Sequence, residues 1–130
     1  MKKITFIVGF FAALSMPLFG SLNAFASSLV IEVPDNPEPT TEVATYQCDT
    51  GTSKERVEAT YLNAGNISLV DFKWNGKRII ASRSISASGA KYMGGPYIWW
   101  TKGNEAILSD LINDPENKNP IQCVEEQKTE

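Results

Sequence analysis

The sequence predicts an all-β fold, with about eight short strands arranged as a small antiparallel barrel or a sandwich. Segments rich in β-branched and aromatic residues recur at intervals of roughly ten residues. Turn-forming residues separate these segments, and Asn75-Gly76 is the strongest hairpin signal among them. The only two cysteines lie near the two ends of the strand-rich region. A barrel would make the first and last strands neighbours and would bring those cysteines together.

Each strand is predicted from alternation between apolar and polar residues. Val57 and Ala59 alternate with polar residues in the second segment, and Val70, Phe72 and Trp74 share one face of the third. The apolar residues of segment 105–112 fit a helical period as well as a strand period, and we assign it as a strand. The predicted strands are residues 43–48, 56–63, 67–74, 77–86, 90–93, 97–102, 105–112 and 121–125.

Residues 1–26 have the three-part layout of a secretory signal peptide. Lys2 and Lys3 provide the positive start, an apolar run covers residues 4–14, and Ala24-Phe25-Ala26 provides the small residues of a cleavage site. No cysteine lies near Ala26, so the pattern excludes the acylation of a cysteine at the new N-terminus that anchors bacterial lipoproteins. We therefore expect a periplasmic protein without a membrane anchor once the signal has been removed.

Residues 27–42 are rich in proline and acidic residues, which predicts a flexible tether. Residues 43–126 form the predicted β domain, and residues 127–130 form a short tail. The signal segment holds two of the 12 basic residues and none of the 15 acidic ones, so 10 basic residues against 15 acidic ones give the mature chain a charge of −5.

The composition excludes several classes of function. The sequence has no histidine, which removes the commonest general base and the commonest metal ligand. Two cysteines cannot form a four-cysteine zinc site, and no glycine-rich phosphate loop occurs. The net charge of −3 argues against nucleic acid or an anionic membrane as a partner. We expect no cofactor and no bound metal.

Cys48 and Cys123 are candidates for a structural disulfide bond, because exported proteins fold in an oxidising compartment. A bridge between them would join the first predicted strand to the last. Two free thiols or a redox-active pair are the alternative, but the C-x-x-C spacing of exchanging thiols is absent. A structural bridge is therefore the preferred interpretation.

Two motifs stand apart from generic strand sequence. Ser88-Gly89-Ala90-Lys91-Tyr92 forms an S-G-x-x-Y pattern, and Trp100-Thr101-Lys102-Gly103 forms a W-x-K-G pattern. With Tyr46-Gln47-Cys48 near the start and Cys123 near the end, they resemble the MliC/PliC family of periplasmic and membrane-bound inhibitors of c-type lysozyme. The resemblance covers most of the chain after the tether.

The resemblance implies an eight-stranded antiparallel β-barrel whose S-G-x-x-Y loop enters the active-site cleft of a host c-type lysozyme. Ser88 and Lys102 would make the decisive contacts, and Tyr92 would shape the loop. The protein would then be an inhibitor rather than an enzyme, and its oligomeric state, a homodimer included, is left open. The expected lysozyme-binding residues are Ser88, Gly89, Lys91, Tyr92, Lys102 and Gly103.

Three features depart from the family pattern. Lys91 stands where an arginine is common, and Asn104 stands where an aspartate is common. These two differences suggest altered affinity more than altered function. The lipoprotein cysteine of the membrane-bound branch is absent, which points to the soluble branch.

Two other functions remain as alternatives. Ser88 and Lys102 are the one nucleophile–base pair available for a hydrolase, but that chemistry needs a buried, neutral lysine, whereas polar turn residues surround Lys102. The second alternative is a small-ligand barrel like a lipocalin. A domain this small leaves little room for a cavity once its aromatic residues are inside.

Overall fold

The structure is a computed structural model that describes residues 27–35 and 37–127. The predicted signal peptide and residues 128–130 of the predicted tail lie outside the described residues. The chain divides into two compact units, one ending at Val33 and the other beginning at Pro34. Residues 27–33 contain neither helix nor strand. Across the described ranges, no helix is long and apolar enough to span a membrane.

The second unit contains eight strands that form one closed barrel. Every strand pairs antiparallel with the next one, and β1 pairs with β8 to close the ring. The predicted all-β barrel is therefore confirmed, and the sandwich alternative is wrong. The strands are β1 (Thr40–Asp49), β2 (Lys54–Ala64), β3 (Ile67–Trp74), β4 (Lys77–Ser84), β5 (Ala90–Gly94), β6 (Tyr97–Lys102), β7 (Glu105–Asp110) and β8 (Ile121–Glu125).

The predicted bounds of β3, β6 and β8 are confirmed, and the other strands differ at their ends. Strand β1 begins at Thr40, so residues 40–42, assigned to the tether, belong to the strand. Strand β7 is not helical, but it ends at Asp110. Strand β4 ends at Ser84, which leaves Ile85 in a loop.

The interior of the barrel is packed with side chains. The largest fully buried ones are Trp99, Phe72, Leu108 and Val70, all at alternate strand positions that face inward. The Trp99 ring lies 4.9 Å from the Phe72 ring and 5.1 Å from the Tyr46 ring, centroid to centroid, with an edge-on geometry for Tyr46. The described interior therefore offers no lipocalin-like cavity.

The buried polar groups of the aromatic core satisfy one another. Trp99 Nε1 donates to the Tyr61 hydroxyl at 3.0 Å, and the Tyr46 and Tyr61 hydroxyls share a hydrogen bond of 2.8 Å. Burial raises the pKa of both tyrosines, so both hydroxyls stay protonated at neutral pH. The network fixes the rotamers of three large rings and thereby defines one packing of the core.

The Cys48–Cys123 disulfide bond joins the first and last strands. The two residues lie directly opposite each other in the β1–β8 ladder, with Cα atoms 4.0 Å apart, and both are buried. The predicted structural bridge is confirmed. It closes a covalent loop with a sequence separation of 75 residues.

Because the strands alternate in direction, the connections alternate between the two ends of the barrel. One end, here called the motif end, carries turn 65–66, loop 85–89 and turn 103–104. The opposite end carries loops 50–53 and 111–120 and the Asn75-Gly76 and Gly95-Pro96 turns. Asn75 and Gly76 both have positive φ, 50° and 79°, as the predicted type I′ hairpin requires.

Asp110 organises the long loop at the opposite end. Its carboxylate accepts hydrogen bonds from the backbone N–H groups of Ile112 and Asn113 and from Asn113 Nδ2. Burial raises the pKa of Asp110, but these hydrogen bonds and the charge of Lys77 outweigh burial, so the pKa is lowered overall. The ionised carboxylate thus holds the start of the loop in place.

Candidate functional site

The two sequence motifs meet at the motif end because Gly89 packs directly against β6. A Cβ atom at Gly89 would collide with the carbonyl oxygen of Thr101 and would lie 2.7 Å from Lys102 Cγ. Gly89 also has a φ of +70°, which favours glycine. The missing side chain at Gly89 thus permits a close approach within the protein's own chain. Loop 85–89 and Lys102 therefore form one continuous surface.

Two hydrogen bonds hold the loop in shape. Trp100 Nε1 donates to the carbonyl oxygen of Ser88 at 2.9 Å, and Ser86 Oγ donates to the carbonyl oxygen of Gly89 at 3.2 Å. The Ser88 side chain is exposed, and its hydroxyl makes no hydrogen bond with another described residue. The loop is thus fixed through its backbone while the Ser88 hydroxyl is left available to a partner.

Trp100 organises the cations of the site. It lies opposite Lys91 in the β5–β6 ladder and two residues before Lys102, so all three side chains share the outer face of the barrel. Lys91 Nζ is 5.0 Å and Lys102 Nζ is 5.1 Å from the centroid of the Trp100 ring. Both distances are within cation–π range. One indole ring therefore positions two ammonium groups and the backbone of Ser88.

Lys102 is exposed at the end of β6, directly before the Gly103-Asn104 turn. The backbone N–H of Glu125 donates to the carbonyl oxygen of Asn104 at 2.8 Å, which ties this turn to the end of β8. Within the described part of the chain, neither Lys91 nor Lys102 forms an ion pair with a carboxylate. The motif end thus presents two ammonium groups that are not held in an ion pair, with Glu105 as the cross-strand neighbour of Lys102.

Tyr92 does not belong to this surface. It is buried, and its ring lies 5.8 Å from the Tyr61 ring in the core. Alternation along β5 explains the difference, because Lys91 points outward and the next residue must point inward. We expected Tyr92 both to shape the loop and to be among the contact residues, and its burial does not favour a direct contact with a partner. Arg83 lies over its ring, with Cζ 5.9 Å from the centroid.

Sequence reasoning missed two residues of the motif end. Trp100 was part of a recognised motif but was not assigned to the binding set. Ile85 was assigned to strand β4, whereas it stands in loop 85–89 with its side chain 92% exposed. An apolar residue continuing an alternating segment gives no sequence signal that the strand has already ended.

The opposite end has an open cleft of about 410 Å³ near Asp110, Asp114 and Glu55. Asp110 and Asp114 already accept hydrogen bonds from their own loop. Among the described residues, no group of three or more acidic, histidine or cysteine side chains is arranged to hold a metal ion. The Asp110 and Asp114 carboxylates of this cleft thus serve their own loop.

Fold and site together define a class: a small, disulfide-closed β-barrel with a packed interior, whose candidate binding surface is the rim formed by loop 85–89 and the end of β6. The model of the family "membrane-bound lysozyme-inhibitor of c-type lysozyme" (MliC) matches residues 46–117. The chain belongs to the MliC family.

Relatives and a solved structure agree with this assignment. A Cupriavidus necator protein named membrane-bound lysozyme inhibitor of C-type lysozyme is 40% identical to this chain over 82 residues. The aligned part covers 63% of this chain and 62% of the relative, so this chain spans less than two thirds of that relative's length. The Pseudomonas aeruginosa protein of the same name is 35% identical over 73% of each chain. The crystal structure of P. aeruginosa MliC in complex with hen egg-white lysozyme superposes with a TM-score of 0.65 at 32% identity, covering 79% of this chain and 100% of that one.

Proposed function

We propose that this protein inhibits c-type lysozyme by inserting loop 85–89, which carries Ser88 and Gly89, the adjoining Ala90 and Lys91 of β5, and Lys102 into the acidic active-site cleft. The observation that carries the proposal is the packing of Gly89 onto Lys102, which joins the exposed Ser88 to a lysine that forms no ion pair among the described residues. The solved complex of the P. aeruginosa relative with hen egg-white lysozyme supports the choice of partner.

The chemistry of a lysozyme-type cleft matches this rim. Such a glycosidase uses two carboxyl groups, one ionised and one kept protonated, in a partly desolvated groove. A lysine ammonium offers a compact charge with three donors to the ionised group. The Ser88 hydroxyl can donate to one carboxyl group while it accepts from another. Excluding water from these contacts strengthens them, although desolvation offsets part of the gain.

Opposite net charges would accelerate association. The mature chain would carry a charge of −5, with 10 basic and 15 acidic residues, whereas host lysozymes of this class are typically basic. We expect the association rate to fall as salt rises, because screening weakens long-range attraction. The local positive charge of Lys91 and Lys102 would then orient the docked complex.

The alternative functions find less support. A serine–lysine hydrolase would need Lys102 buried and neutral, but Lys102 is exposed and lies over the Trp100 ring. A lipocalin-like barrel would need an internal cavity, but Trp99 and Phe72 fill the described interior. We therefore propose a non-enzymatic inhibitor.

The location belongs to the same proposal. Residues 1–26, outside the described part of the chain, have the pattern of a cleavable signal peptide, and no cysteine lies near Ala26 at the predicted cleavage site. We infer a periplasmic protein that protects the cell wall against host lysozyme. Detection of the chain in the periplasmic fraction with a new N-terminus near Ser27 would test this part.

The direct test is a titration of the purified mature protein into a lysozyme assay on peptidoglycan. We expect loss of hen egg-white lysozyme activity at stoichiometric amounts of inhibitor. Goose-type and invertebrate-type lysozymes, assayed in parallel, test whether the inhibition is confined to the c-type class. Full lysozyme activity at a large excess of the protein would refute the proposal.

A further inference from the structure

We propose that Ile85 is an apolar anchor of the lysozyme-binding surface, seated against the apolar wall of the enzyme's cleft beside the protonated carboxyl group. The inference rests on the proposed function. Neither sequence motif contains Ile85. The inference adds this residue to the Ser88 hydroxyl and the two lysines of the rim.

The exposure of Ile85 is unusual within this barrel. Its side chain is 92% exposed, whereas the other exposed large apolar residues of the described barrel unit are between 44% and 62% exposed. Four of those lie on strands, and the fifth, Ile112, lies on the loop at the opposite end. Single exposed apolar residues are common, so the inference depends on where Ile85 stands and how it is held.

The backbone on both sides of Ile85 is fixed. Ser84, directly before it, is the last residue of β4 and pairs with Lys91. After it, the Ser86 hydroxyl binds the carbonyl oxygen of Gly89, and Trp100 binds that of Ser88. A β-branched side chain also has few rotamers. Ile85 is thus held outward before binding, which lowers the entropic cost of burying it in an interface.

The chemistry of the expected partner identifies what Ile85 would contact. In a lysozyme-type cleft, the carboxyl group that acts as an acid stays protonated because it lies in an apolar pocket. The cleft therefore presents an apolar part beside an ionised part. The motif end has matching parts, with Ile85 as the apolar projection and Lys91 and Lys102 as the charged one.

The test compares Ile85→Ala with Ile112→Ala, a matched exposed isoleucine at the opposite end of the barrel. Binding to hen egg-white lysozyme would be measured by isothermal titration calorimetry at several temperatures and NaCl concentrations. We expect Ile85→Ala to weaken binding about 10- to 50-fold, from the transfer free energy of the methylene groups removed. The salt dependence should stay that of the parent, and the heat-capacity change on binding should become less negative. Ile112→Ala should bind like the parent.

The outcomes separate this inference from the proposed function. If the parent binds lysozyme and Ile85→Ala binds equally well, Ile85 is no anchor while the inhibitor function stands. Equal weakening by Ile112→Ala would also overturn the inference. If the parent does not bind at all, the proposed function fails and the inference fails with it. Circular dichroism and the Tm of both variants check that the fold is intact, as expected for exposed side chains.

Discussion

Lys91 and Lys102 differ from Arg56 and Arg78 because neither lysine forms an ion pair among the described residues. Arg56 binds Glu126 and Arg78 binds Asp71, whereas the two lysines lie over an indole ring in the described structure. A cation stacked on an aromatic face keeps its charge and most of its hydrogen-bonding capacity for a partner. On the proposed function, single side chains at this rim should therefore affect binding more than folding.

Lys102→Ala should weaken binding to lysozyme by about 2–5 kcal/mol, because it leaves a buried carboxylate of the partner without its cation. Ser88→Ala should have a smaller effect, since a neutral hydrogen bond contributes less. Lys73→Ala, which removes an exposed lysine from β3, is the matched control. Titration calorimetry measures all three. Parent-like binding by the Lys102→Ala, Ser88→Ala double variant would show that the site lies elsewhere.

Asp110 should make stability depend on pH. Since its pKa is lowered in the folded state, the ionised form stabilises the fold above the unfolded pKa, and this contribution is lost as pH falls through the folded pKa. We expect Asp110→Asn to unfold more easily than the parent at pH 7, with a difference that shrinks in acid. Urea unfolding between pH 7 and pH 3 measures it, with Asp35→Asn in the tether as control. A difference that is constant with pH would instead indicate a packing effect.

At the level of elements, loop 85–89 is held by β6 rather than by its own residues alone. Gly89 touches Lys102 and Thr101, and Trp100 binds Ser88, so the loop and the strand present their groups in a fixed relation. This contact joins the two sequence motifs, which lie on either side of the β5–β6 hairpin. Neither motif would form the surface without the other.

Gly89→Ala should displace the loop, because its Cβ would collide with backbone and its φ of +70° disfavours alanine. We expect inhibition to weaken at least tenfold (about 1.4 kcal/mol). Gly76→Ala is the matched control: its φ is +79°, but a Cβ there meets nothing within 4 Å. The control should lose about 1–2 kcal/mol of stability and no inhibition. Equal inhibition by both variants would mean that the shape of the loop does not matter.

The sequence predicts strands well where turn chemistry bounds them and less well where apolar alternation continues past the end. Strand β3 is bounded by Gly65-Asn66 and Asn75-Gly76, and its predicted limits are confirmed. Ile85 and Ile112 extended the predicted β4 and β7 because local patterns cannot distinguish a packed isoleucine from an exposed one. Tyr92 was assigned to the surface for a related reason, since a motif does not state which face of a strand each residue occupies.

At the level of the whole molecule, the disulfide bond reinforces the one ladder that joins the two ends of the barrel sequence. Strand β8 pairs with β1, and Cys48 and Cys123 lie opposite each other in that ladder. All other pairings of neighbours join consecutive strands. Closure therefore depends on a contact between residues far apart in sequence. The covalent bond lowers the entropic cost of that contact, because it already joins the two residues in the unfolded chain.

Replacing both cysteines, Cys48→Ala with Cys123→Ala, should lower the free energy of unfolding by about 4–5 kcal/mol on the chain-entropy model for a loop of this length. Urea denaturation of the parent and the variant measures the loss. Thiol reduction of the parent should reproduce most of it, which separates the loss of the bond from changes in packing. A loss below about 1 kcal/mol in both experiments would contradict this account.

The alternation of connections between the two ends has a practical consequence. Loop 111–120 and the motif end are separated by the length of the strands, on the order of 20 Å for a six-residue strand such as β6. A dye or a surface linker attached through loop 111–120 would leave the motif end unobstructed. The barrel thus offers a ready geometry for oriented immobilisation on a biosensor chip.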